Sequence, residues 1–191
     1  GFLLDPWEKH QPTLISAAPQ GREQRLNFLK RAVEIAAWLD AEAVSYWAGQ
    51  PADGVDRKQA RTWLVQACKA LCDYAERHDV ALALDCLKLE IDHPRFGLAV
   101  DLGHAHLTET CSLAETIQMY SGDVRTIHIE DMRRPVHEHL MFGEGEIDFP
   151  PVFEALKASG YACSVCVELS RHSHDAVNTA KKAFAFLTTT T

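Results

Sequence analysis

Residues 124–134 read VRTIHIEDMRR. Val124, Ile127 and Ile129 are β-formers that alternate with polar residues, which predicts a strand. Its end carries His128, Glu130, Asp131, Arg133 and Arg134. A buried strand that finishes on an imidazole, two acids and two arginines needs a reason, because burying unpaired charge is costly. The chain on either side supplies one.

Working outward, strands alternate with helices. Strands are predicted at 43–48, 80–85, 97–101, 124–130 and 163–168. Between them, Arg22–Leu39 carries Leu26, Leu29, Val33 and Ala36 at helical spacing, and Asp56 can cap a long helix to His78. Ser112 and Glu115 make a capping box for a helix to about Tyr120. DFPPVFEALKASG (148–160) places Asp148 at a cap, Pro150 near the helix start and Gly160 at its stop. Ser173 opens a last helix to about Leu187, and the terminal threonines read as a frayed tail. The alternation predicts a parallel α/β sheet. No linker, repeat or charge block divides it, so residues 1–191 are expected to form a single domain.

In parallel α/β folds functional groups collect at the C-terminal ends of strands. Four successive strands here finish on a metal-ligand type: Asp85, Asp101, His128 and Glu168. Two residues before each stands a small side chain, Ala83, Ala99, Thr126 or Cys166, which shares its face. That is the pattern of a barrel interior with a polar site at its mouth. Solvated acids opening loops would account for one such strand more readily than for four with matching parity. Three carboxylates and an imidazole suit Mn²⁺, Mg²⁺, Zn²⁺ or Fe²⁺.

AVDLGH (99–104), IHIEDMRR (127–134), HEHLMFGEGEIDFP (137–150) and CVELSRHSH (166–174) together resemble the sugar phosphate isomerase/epimerase family, the xylose-isomerase-like TIM barrels. The resemblance runs over essentially the whole chain. It implies an α/β TIM (β/α)₈ barrel of the xylose-isomerase-like type, represented here by strands four to eight, with the N-terminal strands absent. It implies a divalent-metal-dependent sugar or sugar phosphate isomerase or epimerase, which abstracts a proton next to a carbonyl through a metal-stabilised enediolate. Carried over by position, Asp101, His128 and Glu168 match metal ligands, and Glu168 also moves the proton. His104 resembles the substrate-contacting histidine, and Arg134 the substrate-binding arginine.

Two departures are visible. A full barrel takes roughly 250 residues, more than the 191 present. The fifth strand carries Asp85 where the family has Glu, and about eleven residues separate it from the next strand, whereas a parallel crossover needs about a dozen or more. A gap or deletion is therefore expected near residues 85–92: either Asp85 stands in for the second catalytic carboxylate and fourth ligand, or that ligand belongs to a missing segment and Asp85 to the tail of a missing helix. Lys9 and His10 are candidates to bind an anionic group, with surface charge as the alternative. His139 and His137 flank the site loop as candidate substrate contacts.

Bulk properties narrow the rivals. The net charge of −8 speaks against a nucleic-acid partner, which favours a basic face, and so against an endonuclease IV-like hydrolase on this fold. A dehydratase, or a barrel that binds sugar or metal without catalysis, stays open. No apolar run approaches the roughly 18 residues of a membrane helix. Cys163 and Cys166 fall on opposite faces of a predicted strand, so they read, like Cys68 and Cys72, as reduced core thiols of a cytoplasmic protein. GFLLDPWEKHQPTL (1–14) lacks Met and reads as a strand end entering a loop, as in part of a longer protein. The expected partner is a small sugar or sugar phosphate, and a homo-oligomer is compatible with the sequence.

Overall fold

A computed structural model describes residues 10–51, 54–84 and 91–190. Asp85, Lys9 and the expected gap near 85–92 lie largely or wholly outside the described residues. The chain divides into two compact units, with the boundary in the sequence between Leu98 and Ala99.

The first unit is built on α1 (Pro19–Trp38), β1 (Ala43–Tyr46), α2 (Arg57–Glu76), β2 (Ala81–Leu84) and the start of β3 (Phe96–Asp101). Proline opens α1, where its missing N–H costs nothing. Asp56 caps α2 by accepting the Gln59 N–H at 3.0 Å. The stripe Ala60, Leu64, Cys68, Leu71, Cys72 and Ala75 follows helical spacing and is buried along its whole length. Asp79, at φ +58° just beyond α2, uses the left-handed conformation that Asp tolerates. β1, β2 and β3 run parallel, with Ser45 beside Ala83 and Ala83 beside Gly97. Leu29, Val33, Leu71, Leu82, Leu84 and Phe96 anchor one continuous core. Each large side chain so buried contributes about 1.5–3 kcal/mol.

In the second unit the end of β3 is followed by α3 (Leu102–Thr108), α4 (Leu113–Tyr120), β4 (Val124–Ile129), β5 (Asp131–Arg133), β6 (Val136–Leu140), α5 (Phe149–Ala158), β7 (Val165–Val167), a 3-10 turn (Ser170–Asp175) and α6 (Ala176–Thr190). The order is β3-β4-β7, and β4 runs parallel to β7 with His128 beside Cys166. The capping box of α4 is formed: Ser112 Oγ accepts the Glu115 N–H, and the Glu115 carboxylate accepts the Ser112 N–H. Phe142 stacks on Phe186, and Phe149 at the start of α5 meets both rings edge-on.

The structure departs from the sequence reading in three places. β5 and β6 form an antiparallel hairpin with an irregular register, where a loop was expected. β7 is shorter than predicted: Cys163 precedes it, and Cys166 is exposed rather than buried in the core. The helix α6 runs on through Thr188, Thr189 and Thr190 where a frayed tail was expected, and the Thr188 and Thr189 hydroxyls donate to the carbonyls of Phe184 and Ala185 one turn back. The five described cysteines, Cys68, Cys72, Cys111, Cys163 and Cys166, are free thiols.

Candidate metal centre

The hydrogen-bond ladder of β4 and β7 sets the site. His128 is the penultimate residue of β4, and Glu168 follows β7, its N–H donating to the Ile129 carbonyl at 3.1 Å. Asp101 ends β3 and caps α3, where its Oδ1 accepts the His104 N–H at 2.8 Å. These three strand ends bring one ligand atom each from Asp101, His128 and Glu168 within 4.8 Å of one another. His128 Nδ1 and Glu168 Oε2 are 3.1 Å apart. That hydrogen bond, with the neighbouring imidazoles adding to it, holds the Glu168 carboxyl below its ordinary range. Two carboxylate oxygens and one imidazole nitrogen converging on one point form a donor set that Mg²⁺, Mn²⁺, Fe²⁺ or Zn²⁺ accepts.

Behind this group lie two adjacent acids with opposite surroundings. Asp131 is buried, and its carboxylate accepts four backbone N–H groups: Met132 at 2.9 Å, Gly143 at 2.8 Å, Gly145 at 2.9 Å and Ile147 at 3.2 Å. The GEGEI loop is folded around that carboxylate. A Cβ on Gly145 would collide with it, and Gly143 sits at φ +87°. Glu130 is fully buried too, yet neither of its oxygens has a hydrogen-bond partner. Burial, and then the facing Asp101 and Glu168 carboxylates, push it up to about 9. Gly103 leaves the room it occupies, since a Cβ there would overlap Glu130 Oε1 and come within 2.6 Å of Met132 Cε. Neither role was legible in the sequence, where the two acids look alike.

Hairpin β5–β6 delivers His137 and His139 to the same side as His104. His104 Nε2 and His137 Nε2 are 2.6 Å apart, and His104 Nε2 lies 3.9 Å from Asp101 Oδ2. His139 Nδ1 lies 3.5 Å from Glu130 Oε1. Burial and the neighbouring His104 and His139 rings lower the His137 pKa.

The remaining candidates fall elsewhere. The Arg134 guanidinium donates to the His106 carbonyl through Nε at 2.8 Å and Nη2 at 2.5 Å, so it clamps the hairpin to α3. Its backbone N–H donates to Glu146, which also meets His106 Nε2 at 3.0 Å. His10 belongs to the first unit: its ring stands edge-on to Trp47, and its carbonyl accepts from the buried Arg25. Among the small residues beneath the strand tips, Ala83, Ala99 and Thr126 are buried and Cys166 is exposed.

Comparison with known proteins places this geometry. The L-ribulose-5-phosphate 3-epimerase UlaE of Salmonella paratyphi A is 27% identical over 167 residues, which cover 78% of this chain and 57% of that protein. The chain thus spans a little over half the length of the curated relatives it matches. Among solved structures, a D-tagatose 3-epimerase-like protein superposes with a TM-score of 0.78 at 23% identity, covering 98% of this chain and 80% of that one. The 3-keto-D-glucoside 4-epimerase of E. coli gives a TM-score of 0.79 at 19% identity, covering 94% and 76%. The family described as xylose isomerase-like TIM barrel matches residues 7–190. Parallel strands and a match over nearly the full chain agree, and the chain belongs to the xylose isomerase-like TIM barrel family.

Proposed function

We propose that this chain carries the metal and proton-transfer groups of a divalent-metal-dependent sugar or sugar phosphate epimerase. The observation that carries the reading is the convergence of Asp101, His128 and Glu168 at three strand ends, in a family whose similar members include a ribulose-phosphate 3-epimerase. Asp101, His128 and Glu168 would hold the cation, which supplies electrophilic stabilisation to the oxygens flanking the carbon that loses its proton.

The chain's own residues do the rest. His128 keeps Glu168 ionised, so its carboxylate is ready to accept a proton from the carbon beside the substrate carbonyl. Asp101 is oriented by the α3 N-terminus, which fixes the direction of its second oxygen. His104, largely exposed beside Asp101, is placed to donate to a substrate hydroxyl. Arg134 acts by positioning, through its clamp on α3. Epimerisation requires that the proton return to the opposite face, and the fifth-strand Asp85 is the proposed second carboxylate. The free thiols suit a reducing cytoplasmic setting, and among the described residues no helix is long and apolar enough to cross a membrane.

The test is solvent exchange. With Mn²⁺ supplied in D₂O, L-ribulose 5-phosphate or D-tagatose should take up deuterium at carbon 3, read by NMR. Glu168→Gln should slow that exchange by about 100- to 10,000-fold. Exchange that survives Glu168→Gln, or that none of a panel of ketoses and their phosphates undergoes, would remove the epimerase reading.

A further inference from the structure

The buried Glu130 carboxyl has no part in the proton-transfer reading, yet it faces Asp101 and Glu168. We propose that Glu130 is a fourth ligand of the Asp101–His128–Glu168 cation centre, in the place that the resemblance gives to a fifth-strand glutamate. The inference rests on the cation reading of those three strand ends. The fifth strand itself offers Asp85, one methylene shorter than Glu. Glu130 comes instead from the exit of β4, just beyond the ligand His128.

Burial without a partner is the first support. Glu130 is 0% exposed, and neither carboxyl oxygen makes a hydrogen bond. His139 Nδ1 stands 3.5 Å from Oε1 and is likewise without a hydrogen-bond partner. A buried carboxyl left in this way is costly, and more so when charged. The adjacent Asp131 shows what the same strand exit does for an acid that serves the fold: backbone N–H groups of Gly143 and Gly145 turn to it. No such donors turn to Glu130, which leaves its oxygens open to a cation.

The charges around it are the second support. Besides burial, what acts on Glu130 is the Asp101 carboxylate and then that of Glu168, and both belong to the converging ligand group. Three carboxylates facing one another repel, and a divalent cation among them turns the repulsion into coordination. Space is the third. A Cβ at Gly103 would stand 2.2 Å from Glu130 Oε1, so glycine keeps open the place of the carboxyl beside the first turn of α3, the helix that Asp101 caps. The atoms already within 4.8 Å of one another are those of Asp101, His128 and Glu168. Glu130 joins them by rotation about its own side-chain bonds. Three carboxylates and one imidazole favour an ion that prefers oxygen, Mn²⁺ or Mg²⁺, over Zn²⁺.

Mn²⁺ binding by the full chain, measured by titration calorimetry, tests this without a sugar. Glu130→Gln keeps the shape of the side chain and removes its charge. It should be at least as stable as wild type in metal-free urea unfolding, because a costly buried group is gone. It should also bind Mn²⁺ at least about 10-fold more weakly. Water proton relaxation at substoichiometric Mn²⁺ separates a ligand from a neighbour of the ligands: Glu130→Ala should show one more water on the ion than wild type. If circular dichroism shows that these variants do not fold, Glu130→Asp, which keeps the charge but falls one methylene short, should likewise lose affinity and gain a water. Unchanged affinity in the folded variants overturns the proposal and leaves Glu130 a neutral acid beside Asp101. Weaker binding with an unchanged water count overturns it too, and makes Glu130 a residue that orients Asp101. Failure of wild type to bind Mn²⁺ would remove the cation reading itself, whereas Mn²⁺ binding that ignores Glu130 removes this inference alone.

Discussion

The two units bury polar groups to opposite ends. In the first, Arg25 is 6% exposed, yet its guanidinium donates to the carbonyls of Pro12 at 2.8 Å and His10 at 3.0 Å. Tyr46 donates to Cys68 Sγ at 3.2 Å. Around them the interior is aliphatic side chains, Phe96 and thiols, and burial pushes Cys68 to about 11 and Cys72 to about 12, keeping both protonated and inert. In the second unit the strand ends bring Asp101, His128 and Glu168 together, and beside them the buried Glu130 carboxyl makes no hydrogen bond, with His139 Nδ1 3.5 Å away. A buried polar group that is fully satisfied holds a fold together, while one left unsatisfied is a cost the fold does not need. Asp131 and Glu130, adjacent in sequence, separate the two cases within one strand exit.

That contrast is most exposed to Asp131→Ala. The change strips the acceptor from four backbone N–H groups and releases the loop that ends in α5. Leaving buried donors unsatisfied costs about 1–3 kcal/mol each before relaxation. With some donors turning to water, a net loss of about 4 kcal/mol is expected in urea unfolding. A loss below about 1 kcal/mol would mean that the hairpin and loop hold themselves, and Asp131 would move to the functional side of the comparison.

Leu71→Ala probes the other unit. Leu71 is fully buried in the first core, and truncation there should cost about 2–5 kcal/mol through lost burial and a residual cavity. Metal affinity at Asp101, His128 and Glu168 should be unchanged, because all three residues belong to the second unit. A parallel fall in metal affinity, measured by dialysis on the folded variant, would show that the two units are energetically one.

Gly103→Ala sharpens the case for Glu130. One methyl group at this position overlaps Glu130 Oε1, and overpacking of this kind costs about 1–3 kcal/mol. The expected outcome is a loss of stability of that size in urea unfolding, since Glu130 must move from its place beside His139. In the combined variant with Glu130→Ala, stability should recover. If Gly103→Ala is as stable as wild type, Glu130 has room to move and does not hold His139 in place.

The strand tips were legible because they obey local rules. Asp101, His128 and Glu168 each end a run of β-formers, and parallel strands send their ends to one side, so sequence alone brings these three together. His104 could be named only by resemblance. The hairpin that brings His137 and His139 was not legible: RRPVHEH has Pro and charge where strands are usually apolar, and its pairing depends on Asp131 gathering the GEGEI loop from a distance. Strand alternation likewise could not separate Glu130 from Asp131. β4 ends at Ile129, so the alternation that tells inward from outward stops one residue before Glu130. The Thr-rich end misled because helix propensity is a weak prior, and Thr188, Thr189 and Thr190 continue α6 despite their low propensity.

The smallest expected effect concerns Glu115, in the capping box of α4. The Ser112 N–H and then its hydroxyl donate to this exposed carboxylate, and they hold its pKa below the ordinary 4.5. A carboxylate whose folded-state pKa is depressed gives the folded chain fewer bound protons than the unfolded one across the interval between the two values. Its contribution is therefore present above the unfolded-state pKa and is lost as pH falls through the lower folded-state value. Glu115→Gln should leave stability at pH 7 slightly reduced and should flatten that part of the acid limb of a Tm-against-pH curve below pH 4.5. Glu168 and other carboxylates would still shape the remainder. An unchanged acid limb would show that the capping box of α4 contributes through the Ser112 hydroxyl alone. The acid sensitivity of the second unit would then belong to its strand ends, where the two units differ most.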